Sequence, residues 1–390
     1  MHAKSRPEWF KLSVVLVAGS LTTMSGGVIA PVLPEVMGQL HIDLALGGVL
    51  GSFHCLTLAL FSPLLGLLAD RFGLSRVLVP SLLFYGIFGV VGAWMTGFWS
   101  LLATRALLGI ACGGLAASCL GVLGRMYDGE ARTRILGLAT AVLTLTGIVY
   151  PLLGGLAGNQ NWQYAFYLNG VAFPLTIWAF YVFSGKTLAP SQEAATPQRG
   201  QLFGLLSRLK TLRLLLTMGL ASVAMYAVVI YAPIYLDRLL GLSPSLNGVV
   251  LAFRAIGAAA ISAFGAKPLA KLIGLDRSTA LGFGLMAVTL ASIPWIDVFW
   301  GTLIAAAIFG VGFGLVLPNL YNALANVAPF ELKSSILALG TGMSFLGQFA
   351  SPVILGVVLD RFGLEVVFYA AAILTICASF LLFAPVGIRR

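Results

Sequence analysis

His54, Arg105 and Arg254 stand inside stretches that are otherwise apolar. An arginine at helix depth in a bilayer costs about 2.5–3.5 kcal/mol on insertion scales, so each should face a cavity or a partner. The chemistry open to this set is recognition and proton movement. The two arginines favour anionic or neutral polar ligands, and His54 is the deep side chain whose ordinary titration range suits proton carriage. The plain alternatives are arginines bonded to backbone carbonyls and a hydrogen-bonded core histidine. Neutral polar residues recur at helical spacing in two later stretches. Asn319, Asn322 and Asn326 form one stripe; Thr341, Ser344, Gln348 and Ser351 form another. Each stripe falls on one helix face, and in lipid such a face must meet water or another polar face. Tyr226, Tyr231 and Tyr235 add aromatic surface with a polar tip, Tyr235 alternatively serving as an interface anchor.

No acid joins this set. The thirteen Asp and Glu residues fall in loops or at helix ends, with Glu35 and Asp128 the nearest to moving inward if a boundary shifts. No H-E-x-x-H, G-x-S-x-G or paired intramembrane aspartates occur, so no enzyme is expected. The four cysteines lie scattered in apolar runs without metal or disulfide spacing, and neither a metal site nor a cofactor is expected.

The elements that position these residues are long apolar helices. The chain is 59% hydrophobic and 9% charged, where a soluble domain is about a quarter charged. Lipid must be the solvent for most of it. Twelve stretches are long enough to cross about 30 Å of hydrocarbon at 1.5 Å per residue. They run over 12–34, 46–68, 77–97, 99–123, 134–157, 162–183, 213–236, 246–266, 278–295, 299–323, 334–359 and 364–384. None alternates with period two, which excludes long membrane strands. Arg254 then lies about 12 Å into the eighth span and Arg105 about 9 Å into the fourth. The basic start (Lys4, Arg6, Lys11) leads into an apolar run past residue 30, with no cleavage site of a signal peptide.

The net charge of +10 follows from topology. With the N-terminus inside, cytoplasmic segments hold 19 of the Lys and Arg residues and the outer loops hold Arg238 and Arg361 alone. This is the positive-inside pattern; it places both termini in the cytoplasm and removes any need for a nucleic-acid partner. Residues 184–212 are the one long polar connection. They divide an N-terminal bundle (1–183) from a C-terminal bundle (213–390), six spans each. The halves echo each other at an offset of about 201 residues: Glu130 with Glu331, Arg132 with Lys333, Pro151 with Pro352 and Gly155 with Gly356. Repeated halves around a midplane site are a transporter architecture.

Between the second and third spans runs Gly66-Leu-Leu-Ala-Asp70-Arg71-Phe-Gly73-Leu-Ser-Arg76, a charged turn beside lipid-length segments. With twelve spans around it, this G-x-x-x-D-R-x-G-x-x-R pattern resembles the signature of the major facilitator superfamily, and the resemblance covers essentially the whole chain. Arg105 sits where that family carries an arginine in its fourth helix, and the resemblance implies a coupling or gating role for it. In the fifth span Pro151, Gly154 and Gly155 match part of an antiporter-associated motif, while Thr146 and Tyr150 replace two of its glycines. The branch most similar is that of the twelve-helix drug and metabolite exporters, although the acid many of them carry in the first helix is missing here. The resemblance also implies that Gly66, Asp70, Arg71, Gly73 and Arg76 form a cytoplasmic latch, with Asp70 capping a helix or pairing with a base. Lys271 occupies the equivalent position in the second half, so the latch is expected in one half only.

The expectation is an all-α integral membrane protein of two pseudo-symmetric six-helix bundles, working as a monomeric secondary transporter by alternating access in the plasma membrane. Export of a small neutral or anionic amphiphile is favoured, with protons as one coupling partner. Its substrate-facing residues are expected among His54, Arg105, Tyr226, Arg254, Asn319, Asn322 and Gln348. A facilitator or importer without proton coupling is the alternative within the class, and a non-transporting membrane sensor or scaffold the alternative outside it.

Overall fold

A computed structural model describes residues 8–127, 129–183, 199–329 and 332–383. Among these it shows helices and connecting turns and no strand. Twelve helices among the described residues are long and apolar enough to cross a membrane. We number them α1 (Glu8–Gln39), α2 (Leu44–Phe72), α3 (Leu74–Trp94), α4 (Phe98–Met126), α5 (Gly129–Gly158), α6 (Trp162–Phe183), α7 (Leu209–Leu240), α8 (Pro244–Ile273), α9 (Leu275–Trp295), α10 (Phe299–Val327), α11 (Lys333–Phe362) and α12 (Leu364–Phe383). A protein built this way passes the membrane many times, because a helix satisfies its own backbone where no water is available.

The spans lie where hydropathy puts them, but several run longer. α1 continues to Gln39 through a break: its first helical part ends at Gly27, a short 3₁₀ turn covers Ala30–Val32, and helix resumes at Leu33. Pro31 and Pro34 sit in the first turns of the resumed pieces, where a missing N–H costs nothing. This extension takes in Glu35, which the sequence places at the outer end of the first span. It lies within the helical span, one turn from its end, with Oε2 enclosed. Asp128, Glu331, Lys4, Arg6 and residues 184–198 of the expected linker lie outside the described residues. Of the rest of that linker, Arg199–Leu206 is helical and α7 already starts at Leu209.

The chain forms two compact units. Within the described residues the first holds α1, α2 from Leu50, α3 to α6, and Ser243–Gly248 from the start of α8. In it α1 packs against α4, α5 and α6, and α3 packs against α4 and α6. The second holds Asp43–Val49 from the start of α2, α7, α8 from Val249, and α9 to α12. In it α7 packs against α10, α11 and α12, and α9 against α10 and α12. The same packing scheme thus recurs six helices later, as the 201-residue repeat requires. Both units are closely packed at glycines. In the first, a Cβ on Gly154 would fall on the Val28 backbone at the α1 break, and one on Gly155 on the Pro244 carbonyl. In the second, a Cβ on Gly48 would come 2.7 Å from Pro352 Cβ.

Candidate functional site

The first unit holds a buried polar centre around Arg105 on α4. Its Nη1 donates to the Ser25 carbonyl at 3.2 Å. That carbonyl is available because α1 breaks there. The Ile29 N–H, which a regular helix would send to Ser25, bonds the Gly26 carbonyl instead. The guanidinium also lies 4.6 Å from the centroid of the Phe166 ring, a favourable place for a cation with little water around it. Phe166 is itself held. Asn169 Nδ2 donates to the Phe166 carbonyl at 2.9 Å, and the Tyr85 hydroxyl donates to Asn169 Oδ1 at 2.8 Å. Gly89 and Gly92 on α3 leave room for Asn169 and for the Phe166 ring. A relay from α3 through α6 therefore fixes the ring on which Arg105 rests.

His54 on α2 is buried near this centre. Its Nε2 lies 3.4 Å from Cys55 Sγ, the Gly51 backbone is one turn away, and Arg105 is its electrostatic neighbour. A Cβ on Gly109 of α4 would fall on the Thr57 hydroxyl and the His54 carbonyl, so α4 touches α2 backbone to backbone at this level.

The second unit repeats that contact. A Cβ on Gly310 of α10 would fall on the Arg254 carbonyl of α8. Arg254 is half-buried, its Nε is enclosed without a hydrogen-bond partner among the described residues, and buried Tyr226 of α7 is its electrostatic neighbour. Of the α10 stripe, Asn319 is buried and donates to Ser278 Oγ on α9 at 3.1 Å, whereas Asn322 and Asn326 are exposed. On α11, Thr341 bonds the Tyr321 hydroxyl at 3.0 Å and Ser351 donates to the Val223 carbonyl of α7 at 2.8 Å. Gln348 is half-buried. Much of the two stripes is thus engaged between helices of its own unit. The apolar cavity of this unit, lined by Val228, Leu236, Val250, Ile293 and Phe309 among others, includes neither Arg254 nor Tyr226.

The charged turn lies in the first unit. Asp70, at the end of α2, pairs with Arg125 at the end of α4. Arg71 stacks on Phe72 with its guanidinium carbon 5.4 Å from the ring centroid, Arg76 is exposed, and Gly66 is half-buried. Gly73 has φ 104° and ψ 138°, a conformation that only glycine adopts without strain. Pro151 is buried inside α5. Next to it Tyr150, where the antiporter-type motif has glycine, bonds Ser20 Oγ of α1 at 2.7 Å. Sequence reading missed Ser25, Tyr85, Phe166 and Asn169. Phe166 and Ser25 carry no signal that would separate them from other apolar or small residues. Tyr85 and Asn169, polar groups within apolar spans, did carry one.

Twelve lipid-length helices among the described residues, in two repeated units each with an arginine inside, define a polytopic membrane protein with the architecture of a transporter. The sequence profile of the Major Facilitator Superfamily matches residues 15–352 and 238–388, and the chain belongs to that family. It is similar to the bacillibactin exporter of Bacillus subtilis, with 21% identity over 94% of both chains. It is also 27% identical to the class H tetracycline resistance protein of Pasteurella multocida, a match that spans 45% of this chain and 44% of that protein's length. Among solved structures, the nucleoside transporter NupG superposes with a TM-score of 0.82 over 96% of this chain and 99% of its own, at 12% identity. That likeness is one of fold.

Proposed function

We propose that this transporter exports a small neutral or anionic amphiphile by alternating access, in exchange for protons, from the cytoplasm across the plasma membrane, as a monomer with both termini inside. The observation that carries the substrate reading is Arg254. Its charge lies inside a membrane helix, and no acid pairs with it among the described residues. An enclosed cation in that state attracts anionic or carbonyl-bearing groups and repels cations. Tyr226 beside it offers an aromatic face and a hydroxyl. The named activity of the bacillibactin exporter supports the outward direction. His54 is the residue we assign to proton carriage, and Arg105 beside it to coupling.

The test is flux in proteoliposomes with anionic and cationic dyes, with and without a pH gradient, for the parent chain and Arg254→Ala. Expected are gradient-driven transport of anionic dyes and its loss in the variant. Equal transport of cationic dyes by both proteins would overturn the substrate reading. Indifference to the gradient would leave a facilitator without proton coupling.

A further inference from the structure

Helices α2 and α8 are interrupted at the same point of the repeat by different means. In α2, Pro63 lies inside the helix; it lacks the N–H that would bond the Ala59 carbonyl, and its ring crowds that carbonyl. In α8, Ile261–Gly265 winds as a π-turn, closed by the Ala266 N–H on the Ile261 carbonyl. The offset of about 201 residues carries Pro63 onto Phe264, within that turn. Each interruption presses on a glycine of the neighbouring long helix, and the two glycines match at the same offset. A Cβ on Gly113 of α4 would come 3.0 Å from the Ser62 nitrogen. A Cβ on Gly314 of α10 would come 2.6 Å from the Ala258 carbonyl oxygen, and Ser262 Oγ donates to the Gly314 carbonyl at 2.9 Å. The glycine contact therefore anchors the helix at its interruption in both units.

Beyond each anchor runs a short segment, 64–72 in one unit and 266–273 in the other, each about 12–14 Å long. Each ends at a glycine with positive φ, Gly73 at 104° and Gly274 at 90°. Both segments are poorly buried. Ala69 is the one buried side chain in 65–72 and Ala266 the one in 266–273, while Leu67 and Leu272 stand exposed. Breaks in the i→i+4 ladder are where helices bend, and segments with few buried contacts move at low cost.

We propose that Pro63 and the Ile261–Gly265 π-turn are paired hinges, and that segments 64–72 and 266–273 swing on them relative to the rest of their own units. The proline and the π-turn do the same work: each leaves a helical carbonyl without its ordinary partner, so bending there breaks no regular bond. Asp70 on the first segment and Lys271 on the second are then carried by the movable ends.

Distances between paired spin labels in lipid nanodiscs test this within each unit and without a substrate. Native cysteines are replaced by alanine. In the second unit, Leu272→Cys with Phe380→Cys spans the hinge, and Ile256→Cys with Phe380→Cys is the control before it. In the first unit, Leu68→Cys with Phe180→Cys spans the hinge, and Leu60→Cys with Phe180→Cys is the control. Expected are distance distributions broader across each hinge than in its control. Deleting Ala263, which returns the π-turn to α-helix, should narrow the second-unit distribution to the control width, and Pro63→Ala should do so in the first. The proposal is overturned if the hinge-spanning pairs of the parent chain are as narrow as their controls. It is equally overturned if the breadth survives these changes. Should the deletion not fold, the Pro63→Ala result decides alone.

Discussion

Asp70 Oδ1 accepts a hydrogen bond from Arg125 Nη2 at 2.8 Å, tying the end of α2 to the end of α4. Asp70 has basic neighbours in its own turn at Arg71 and Arg76, yet its partner lies 55 residues on. Arg71 is drawn over Phe72, and Arg76 turns back toward the Phe72 carbonyl.

This pair should contribute little to stability. The side chains are 51% and 22% exposed, and ion pairs in water contribute about 0.2–1 kcal/mol. A double-mutant cycle of Asp70→Asn and Arg125→Gln, read by chemical unfolding in detergent, should give a coupling in that range that shrinks with added salt. A coupling of several kcal/mol would mean that the pair is shielded.

Phe166 should matter more to stability than the charge that rests on it. Removing Arg105 forfeits a cation–π contact of about 2 kcal/mol and a charge-assisted hydrogen bond of about 1.5–3 kcal/mol. It also relieves about 2.5–3.5 kcal/mol of burial cost, so Arg105→Met should cost only about 1 kcal/mol. Phe166→Leu keeps the buried charge and loses its platform, and should cost about 2 kcal/mol. Unfolding of the two variants side by side checks the order; the reverse order would remove Phe166 as a platform.

The contact of α10 with α8 should tolerate no added methyl group. In Gly310→Ala the new Cβ would fall on the Arg254 carbonyl, and forcing extra volume into packed helices costs about 1–3 kcal/mol. Gly284→Ala on α9 meets nothing within 4 Å and should stabilise by about 0.5–1 kcal/mol through helix propensity. Thermal melts of the two variants should move in opposite directions.

Gly274→Ala isolates a backbone effect. Nothing lies within 4 Å of the added Cβ, but φ is +90°. In that glycine-only region the cost should be about 1–3 kcal/mol, read as a lowered unfolding midpoint. No loss would mean that the turn between α8 and α9 relaxes freely.

The number of spans, their approximate limits and the repeat were legible in the sequence, because hydropathy and residue spacing are local properties. Pro151 with Pro352 and Gly155 with Gly356 could be aligned before any contact was known. Their partners could not. A polar stripe such as Asn319–Asn322–Asn326 defines a face of α10, but only the approach of α9 decides that Asn319 meets Ser278 while Asn322 stays exposed. The setting of Arg105 depends on a carbonyl released by a break in α1 and on a ring held by α6, and neither has a signature in residue type. The π-turn of α8 is still less visible, since no proline marks it and it rests on the close contact with Gly314. Apolar length by itself determined that this is a multi-pass membrane chain with twelve lipid-length helices among its described residues. Which buried charge meets which backbone was decided by tertiary packing, because glycine contacts set how near two helices come and so which polar groups can reach each other.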